Sequence, residues 1–190
     1  MNVDRFLEGK AVSLTAIRDE DIALFIRIMN REDSRVLARS RRDVMNEGNS
    51  KEMVEDLQKH QEGFIVRRNS DDAAIGYGLL LDRDEYNREA SLAITIGDRE
   101  NRGKGFGQET IRLLLKHAFI NLNLESVYLG VFEYNKAAIH VYEKAGFKLV
   151  GRRRHAHIVG NRVYDELVMD MVSDEYFSLY GDAEMDAYGI

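Results

Sequence analysis

The stretch that most constrains the fold is a glycine-rich turn between a strand and a helix. The turn reads Arg102-Gly103-Lys104-Gly105-Phe106-Gly107, and an apolar run at 92–96 precedes it. After the turn, apolar residues recur at the spacing of one helix face. These residues are Ile111, Leu114, Leu115, Ala118, Phe119 and Leu122. The sequence therefore predicts strand, turn and helix in that order.

The turn has the chemistry of an anion site. Glycines let a ligand approach the backbone closely, and the first turn of a helix offers unpaired N–H groups at the positive end of its dipole. Arg102 and Lys104 add positive charge. The dinucleotide fingerprint fits poorly because Gln108 stands where its third glycine belongs, and the P-loop fits poorly because Gly105 replaces its Ser or Thr. We expect a phosphate or diphosphate ligand, with a solvated basic turn as the plainer alternative.

A second motif begins at Asn135, a good helix N-cap, and the helix that it opens ends at Gly146. By itself this segment reads as a capped helix with Tyr142 in the core. Together, the two motifs resemble the GNAT family of N-acetyltransferases, and the tail at 161–171 is most similar to its ribosomal-protein and spermidine acetyltransferases. The matching patterns are Arg102-x-x-Gly105-x-Gly107 and Asn135-x-x-Ala138-x-x-x-Tyr142-x-Lys144-x-Gly146-Phe147. The similarity covers roughly residues 73–178.

The resemblance implies a role for each motif residue. The backbone of the turn would hold the diphosphate of acetyl-CoA, and the preceding strand would hold its pantetheine arm. Tyr142 would protonate the departing thiolate, Asn135 would contact CoA or a bound water, and Lys144 would reach a phosphate. The implied cofactor-binding residues are Ile94, Thr95, Ile96, Arg102, Gly103, Lys104, Gly105, Phe106, Gly107, Asn135, Tyr142 and Lys144.

The general base is left open by the sequence. Many members of the resembling family carry a glutamate where this chain has Ser91, and serine is a poor base. Glu89 is the nearest acid in sequence and shares a strand face with Ser91, so it is the expected catalytic carboxylate. The alternatives are Glu133, His155, His157, Tyr164 and an ordered water.

The order of apolar segments predicts a single mixed α/β domain over 1–190, with its core at 10–172 and a tail at 173–190. We expect a mostly antiparallel sheet of six or seven strands, with helices on both faces and one parallel strand–helix–strand unit at 90–132. Residues 31–49 give no clear pattern, although Arg39, Arg41 and Arg42 lie close together there. A helix is predicted to begin at Ser50, and the last ten residues to fray after a short helix at 173–180.

Composition narrows the function classes. The 190 residues carry a net charge of −6 and no cysteine, which argues against nucleic-acid binding and excludes disulfides and thiolate metal sites. No apolar run is long enough for a membrane span, and a cytoplasmic location is expected. No metal is expected, because the histidines form no convincing ligand set. These histidines are His60, His117, His140, His155 and His157.

The function expected from these features is acetyl transfer from acetyl-CoA to a primary amine by direct attack. A protein N-terminus or lysine is the favoured acceptor, by overall resemblance, and a polyamine is the alternative. A CoA- or nucleotide-binding sensor without turnover is the alternative from another class. Dimers are common in the resembling family, so a homodimer is an expectation to test.

Overall fold

The computed structural model describes residues 4–37 and 44–188, and in this part of the chain helices and strands form a mixed α/β fold. The strands are β1 (Leu7–Glu8), β2 (Val12–Ala16), β3 (Glu62–Arg68), β4 (Ala74–Asp84), β5 (Glu89–Ile96), β6 (Ser126–Phe132), β7 (Lys148–Val159) and β8 (Arg162–Val172). The α-helices are α1 (Ile22–Met29), α2 (Glu32–Leu37), α3 (Glu47–His60), α4 (Phe106–Lys116), α5 (Lys136–Ala145) and α6 (Ser173–Tyr188). A π-helical turn, His117–Asn121, extends α4.

One sheet of eight strands, in the order β1-β2-β3-β4-β5-β6-β8-β7, runs through the fold. The predicted mixed class and mostly antiparallel sheet are confirmed. The sheet has eight strands rather than the predicted six or seven, because the two-residue β1 pairs with β2 at the edge. A strand this short gives no alternation signal in a sequence.

The sheet divides into two arms at the point where its parallel strands, β5 and β6, stop pairing. Strands β5 and β6 are parallel, and their pairing stops after Ser91 meets Tyr128. Beyond that point β5 stays paired with β4 as far as Ile96, whereas β6 stays paired with β8 as far as Phe132. The two arms therefore open toward the carboxyl ends of β5 and β6, where ligands bind in open α/β sheets.

Apolar side chains cover both faces of the sheet. The face under α4 and α5 holds the larger cluster, which includes Leu92, Ile111 and Leu114. The other face packs against α1 and α3, where Phe25 stacks on Tyr77 with ring centroids 4.9 Å apart. Full burial of one such large side chain contributes about 1.5–3 kcal/mol. The two clusters fix β5 from both sides, which makes it a rigid support for the turn that follows.

Helix α3 begins earlier than the sequence indicated. Asn46 caps it, because its side chain accepts a hydrogen bond from the Asn49 amide at 3.1 Å and its own amide donates to the Asn49 side chain at 2.7 Å. The prediction that Ser50 caps this helix is wrong, and Ser50 is buried inside it. Two asparagines exchanging hydrogen bonds replace the Ser-x-x-Glu pattern that signals a helix start.

The C-terminal segment was predicted to fray from residue 181 and instead continues α6 as far as Tyr188. Glu184 is buried and pairs with Lys116 at 2.7 Å and with Arg112 at 3.3 Å. Tyr180 donates a hydrogen bond to the Ala145 carbonyl at 2.9 Å. These contacts tie α6 to α4 and α5, which a reading of local sequence could not detect.

Candidate active site

The glycine turn leaves a row of backbone donors without partners. Gly103 and Gly105 have φ values of 73° and 85°, in the left-handed region that glycine tolerates, and a side chain at either position would point into open space. Within the described part of the chain, the amides of residues 103–108 donate no hydrogen bond. Helix α4 starts at Phe106, so these amides converge at its positive end. The turn can bind an anionic group through backbone N–H donors.

The side chains of the turn have structural contacts or stay exposed. Phe106 is buried in the core and anchors the start of α4. Gly107 faces Ile94 and Ile96, at 3.7 and 3.8 Å from where its Cβ would lie. Lys104 is exposed beside the free amides. The turn thus packs on β5 through glycine and offers its backbone, rather than its side chains, to a ligand.

Arg102 is placed differently from Lys104. Its guanidinium donates to the carbonyls of Ile96 at 3.1 Å and Gly97 at 2.8 Å, and it pairs with Asp33 at 2.9 Å. In this arrangement the side chain holds the turn against the end of β5.

The edge of β5 beyond the parallel ladder is the second part of the site. The Gly97 amide bonds to Ile75 of β4, so alternate residues of β5 direct their backbone groups to β4 and the others direct them to the open edge. By this alternation Ile94 presents its N–H and C=O groups and Ile96 its N–H group to the gap between the two arms, whereas Thr95 directs its backbone groups to β4, opposite Tyr77. An extended ligand with amide groups can pair with such an edge.

The second motif lies at the start of α5, on the other arm. The Asn135 side chain accepts from the Ala138 amide at 3.2 Å, as the predicted cap, and donates to the Leu37 carbonyl at 3.1 Å. Lys144 is exposed in the last turn of the helix. Gly146 ends α5 with a φ of 101°, as its position in the sequence indicated.

Tyr142 is buried in α5 and packs edge-on against Phe147, with ring centroids 5.8 Å apart. Burial raises the pKa of its hydroxyl to about 12. The hydroxyl makes no hydrogen bond to any residue of 4–37 or 44–188. At neutral pH it is therefore a protonated donor that is available to a ligand.

Glu89 lies at the amino end of β5, two residues before the arms separate. It shares a face with Ser91, and Tyr128 is the cross-strand partner of Ser91. Burial raises the pKa of the Tyr128 hydroxyl, and the negative charges of Asp82 and Glu89 raise it further. The closed end of the gap between the arms therefore carries negative charge on this face.

The other candidate bases belong to a hairpin network. Glu133 accepts from Arg152 at 2.7 Å and from the Asp165 amide at 2.9 Å. His155 has a left-handed backbone, and its amide donates to Asp165. The rings of His157 and Tyr164 pack against Phe132 and Tyr134, respectively. All four residues help to shape the β7–β8 hairpin, whereas the Glu89 carboxylate has no hydrogen-bond or ion-pair partner among the described residues.

Sequence reasoning missed Asp33 and Tyr128 as residues of this region. Asp33 lies in α2, a six-residue helix without a recognisable pattern, and Tyr128 looks like an ordinary strand residue. The predicted basic cluster of Arg39, Arg41 and Arg42 lies outside the described residues. Only the three-dimensional arrangement brings Asp33 to Arg102.

Two searches of the described residues gave negative findings. No group of three or more His, Asp and Glu residues there is arranged to hold a metal ion. No helix in the same residues is both long and apolar enough to cross a membrane.

Comparisons with known proteins identify the family. A family model described as an acetyltransferase (GNAT) domain matches residues 12–148. An uncharacterized N-acetyltransferase of Bacillus subtilis, YokL, derived from the SPbeta prophage, is 28% identical over 172 residues, covering 88% of this chain and 93% of that protein. A spermidine N(1)-acetyltransferase of Vibrio cholerae is 29% identical over 126 residues, covering 66% of this chain and 65% of that protein.

A solved structure gives the same picture of the fold. The crystal structure of spermidine N-acetyltransferase from Vibrio cholerae in complex with CoA and spermine has a TM-score of 0.82 and 23% identity, and the match covers 89% of this chain and 99% of that chain. At this identity the likeness establishes the fold.

Proposed function

Because the chain belongs to the GNAT family of N-acetyltransferases, in which acetyl-CoA is the acetyl donor, we propose that it acetylates a primary amine of a polyamine by direct attack. The observation that carries this proposal is the pairing of two features at one end of the sheet. One is the row of free amides at 103–108, and the other is the open gap between β5 and β6. A diphosphate fits the first and an extended amide-containing arm fits the second.

In the proposed complex, the amides of the turn bind the diphosphate, and Lys104 adds charge beside it. The backbone N–H and C=O of Ile94 and the N–H of Ile96 pair with the amides of the pantetheine arm. Such donors, aimed where charge develops, also lower the barrier to acyl transfer. On the opposite arm, the exposed Lys144 is the side chain proposed to reach a phosphate, whereas the Asn135 side chain caps α5 and holds the Leu37 carbonyl. When bound, acetyl-CoA supplies the thioester carbonyl that is attacked and the sulfur that leaves.

Tyr142 is the proposed general acid. Its raised pKa keeps the hydroxyl protonated at neutral pH. An ordinary thiol has a pKa of about 8.5, so complete proton transfer to a solvated thiolate is unfavourable. A thiolate inside a buried site is more basic, since burial disfavours its charge. The hydroxyl therefore stabilises the departing sulfur by a hydrogen bond and gives up its proton as charge develops.

Glu89 is the proposed acceptor-side carboxylate. The charges of Glu89 and Asp82 both act on the Tyr128 hydroxyl, so negative charge draws a cationic amine to this end of the gap. The Glu89 carboxylate can take a proton from the amine, directly or through a water. Relatives named as spermidine acetyltransferases favour a polyamine acceptor. A protein N-terminus or lysine, the acceptor favoured from the sequence alone, becomes the alternative, since the tail at 161–171 also resembles enzymes of that kind.

The first test is thermal unfolding with acetyl-CoA, CoA, NADH and ATP added separately. A ligand present at 100 times its Kd stabilises the folded state by about 2.7 kcal/mol, or about 5–10 °C for a chain of this length. We expect the shift with acetyl-CoA and CoA alone. A shift with NADH or ATP but not with CoA would refute the proposed ligand of the glycine turn.

The second test measures turnover on a panel of spermidine, spermine and peptides with free N-termini or lysines. Thiol release with the polyamines supports the proposal, and release with the peptides alone transfers the function to a protein acceptor. Binding of acetyl-CoA without turnover on any amine would favour the sensor alternative.

A further inference from the structure

Asp33 is the centre of an arginine cluster next to the glycine turn. Its carboxylate pairs with Arg31 at 3.1 Å, Arg102 at 2.9 Å and Arg99 at 3.4 Å. The hydrogen bond from Arg31, the charge of Arg102 and the hydrogen bond from Arg99 hold the pKa of Asp33 well below its usual range. Its side chain is only 15% exposed, whereas Arg99 is 78% exposed. Asp33 is thus a fixed negative charge, which the surrounding guanidinium groups hold in place.

Arg102 connects this carboxylate to the backbone of the turn. Its remaining donors reach the carbonyls of Ile96 and Gly97, at the end of β5. The planar guanidinium fixes the direction of all these hydrogen bonds together. Arg102 therefore ties the start of the glycine turn to the end of β5, and the free amides begin at the next residue, Gly103.

The helix that carries Asp33 is anchored at its other end to the second motif. The Leu37 carbonyl accepts from the Asn135 side chain at 3.1 Å, and the Val36 carbonyl accepts from the Tyr134 hydroxyl. Helix α2 therefore bridges the end of β5 and the start of α5, which lie on the two arms of the sheet. This second attachment keeps Asp33 in place even though α2 is short.

We propose that Asp33 is a positioning residue, which acts through Arg102 to hold the amides of residues 103–108 in the orientation that binds the diphosphate. The inference rests on the proposed function, because it takes the ligand of the turn to be acetyl-CoA. It adds a contact from α2, outside both motifs, to the determinants of cofactor affinity.

Charge alone predicts the opposite effect. A carboxylate near an anion site repels the ligand, so its removal would strengthen binding if Coulomb forces decided the outcome. In the positioning role, removal frees Arg102 to leave the two carbonyls, and the turn loses its alignment. The sign of the change in affinity therefore separates the two accounts.

The test is the Kd of CoA and acetyl-CoA for Asp33→Asn, measured by titration calorimetry. The amide nitrogen of Asn cannot accept from a guanidinium, and we expect a Kd about tenfold higher, or about 1.4 kcal/mol. The KM for acetyl-CoA should rise by the same factor while kcat changes little. An unchanged or lower Kd would overturn the inference.

Asp98→Asn is the matched control. Asp98 pairs with Arg27 and Arg31, each at 3.1 Å, and not with Arg102. Asp98→Asn removes the same charge beside the same turn as Asp33→Asn, and we expect no increase in the Kd of CoA. Equal weakening in both variants would refute a role that passes through Arg102.

Arg102→Lys provides an independent check if Asp33→Asn lowers the melting temperature of the free protein too far. Lys keeps the charge but cannot reach both carbonyls and Asp33 together, so we expect a similar rise in Kd. The double variant should add little to either single change, and full additivity would overturn the inference. If the wild-type protein binds no CoA, the proposed function fails, whereas wild-type binding with normal affinity in both single variants refutes the positioning role alone.

Discussion

The two sides of the gap between β5 and β6 are built in different ways. The proposed cofactor side consists mainly of backbone: two glycines with positive φ, six amides that donate to no described residue, and the exposed edge of one strand. The proposed acceptor side consists of side chains from separate strands, with Asp82 from β4, Glu89 from β5 and Tyr128 from β6. The first side can bind the same chemical group in any protein that keeps the turn. The second can change its acceptor whenever one of these side chains is replaced.

This difference predicts how the two sides respond to substitution. Changes on the cofactor side should affect affinity for acetyl-CoA with every acceptor. Changes on the acceptor side should affect turnover in a way that depends on the amine. The predictions below test this division, starting with the largest expected effect.

Gly105→Asp should abolish CoA binding. The new carboxylate would point into the space where we place the diphosphate, and juxtaposed like charges cost several kcal/mol, so we expect a Kd at least about a thousandfold higher. Asp tolerates the left-handed region better than most residues, and its charge suits a helix N-terminus. The variant should therefore stay folded, as thermal unfolding without ligand can verify.

Gly160→Asp is the control for the backbone effect. Gly160 has a φ of 61° in the β7–β8 turn, and open space surrounds it as it does Gly105. The same strain and charge arise away from the proposed anion site, so CoA affinity should stay normal. Normal affinity in Gly105→Asp would disprove the placement of the diphosphate.

Tyr142→Phe should lower kcat about a hundredfold, the size expected for loss of a general acid, and leave the Kd of acetyl-CoA nearly unchanged. The ring stays buried against Phe147, so the core is kept. Since the pKa of Tyr142 is about 12, its protonated form persists through neutral pH, and the wild-type rate should show no loss from tyrosine ionisation below about pH 11. Steady-state kinetics and a pH profile measure both effects.

Tyr180→Phe is the matched control for Tyr142→Phe. The Tyr180 hydroxyl, in α6, donates a hydrogen bond to the Ala145 carbonyl in α5, the helix that carries Tyr142. The change therefore removes one tyrosine hydroxyl near α5 without altering the gap. We expect a small loss of stability and a normal kcat. An equal fall in kcat in both variants would show that packing of α5, rather than proton donation, limits the rate.

The same division explains how much could be predicted from the sequence. The cofactor side follows local rules, because Gly105 and Gly146 mark left-handed positions and Asn135 marks a helix start, and each is visible in a short window. The acceptor side depends on strand register, and the meeting of Ser91 with Tyr128 is set by pairing across the sheet. The role of Asp33 is still harder to predict, because α2 has no sequence pattern of its own and is positioned by contacts with Arg102 and Asn135.

Among the substitutions in the proposed site, Glu89→Gln should have the smallest effect, and its outcome is the most informative. Water can also accept the proton of an amine, so loss of the carboxylate should lower kcat/KM for the acceptor about tenfold, below the usual range for a general base, with the Kd of acetyl-CoA unchanged. A fall in kcat indicates proton transfer, whereas a rise in acceptor KM alone indicates that Glu89 only attracts the cation.

Glu85→Gln is the control, because it removes the same charge from the exposed β4–β5 turn, where Glu85 pairs with Arg83 at 3.0 Å. It should leave kcat and the acceptor KM unchanged. If Glu89→Gln behaves like this control with every amine, another group is the general base, and the acidic side chains at the closed end of the gap do not determine the acceptor.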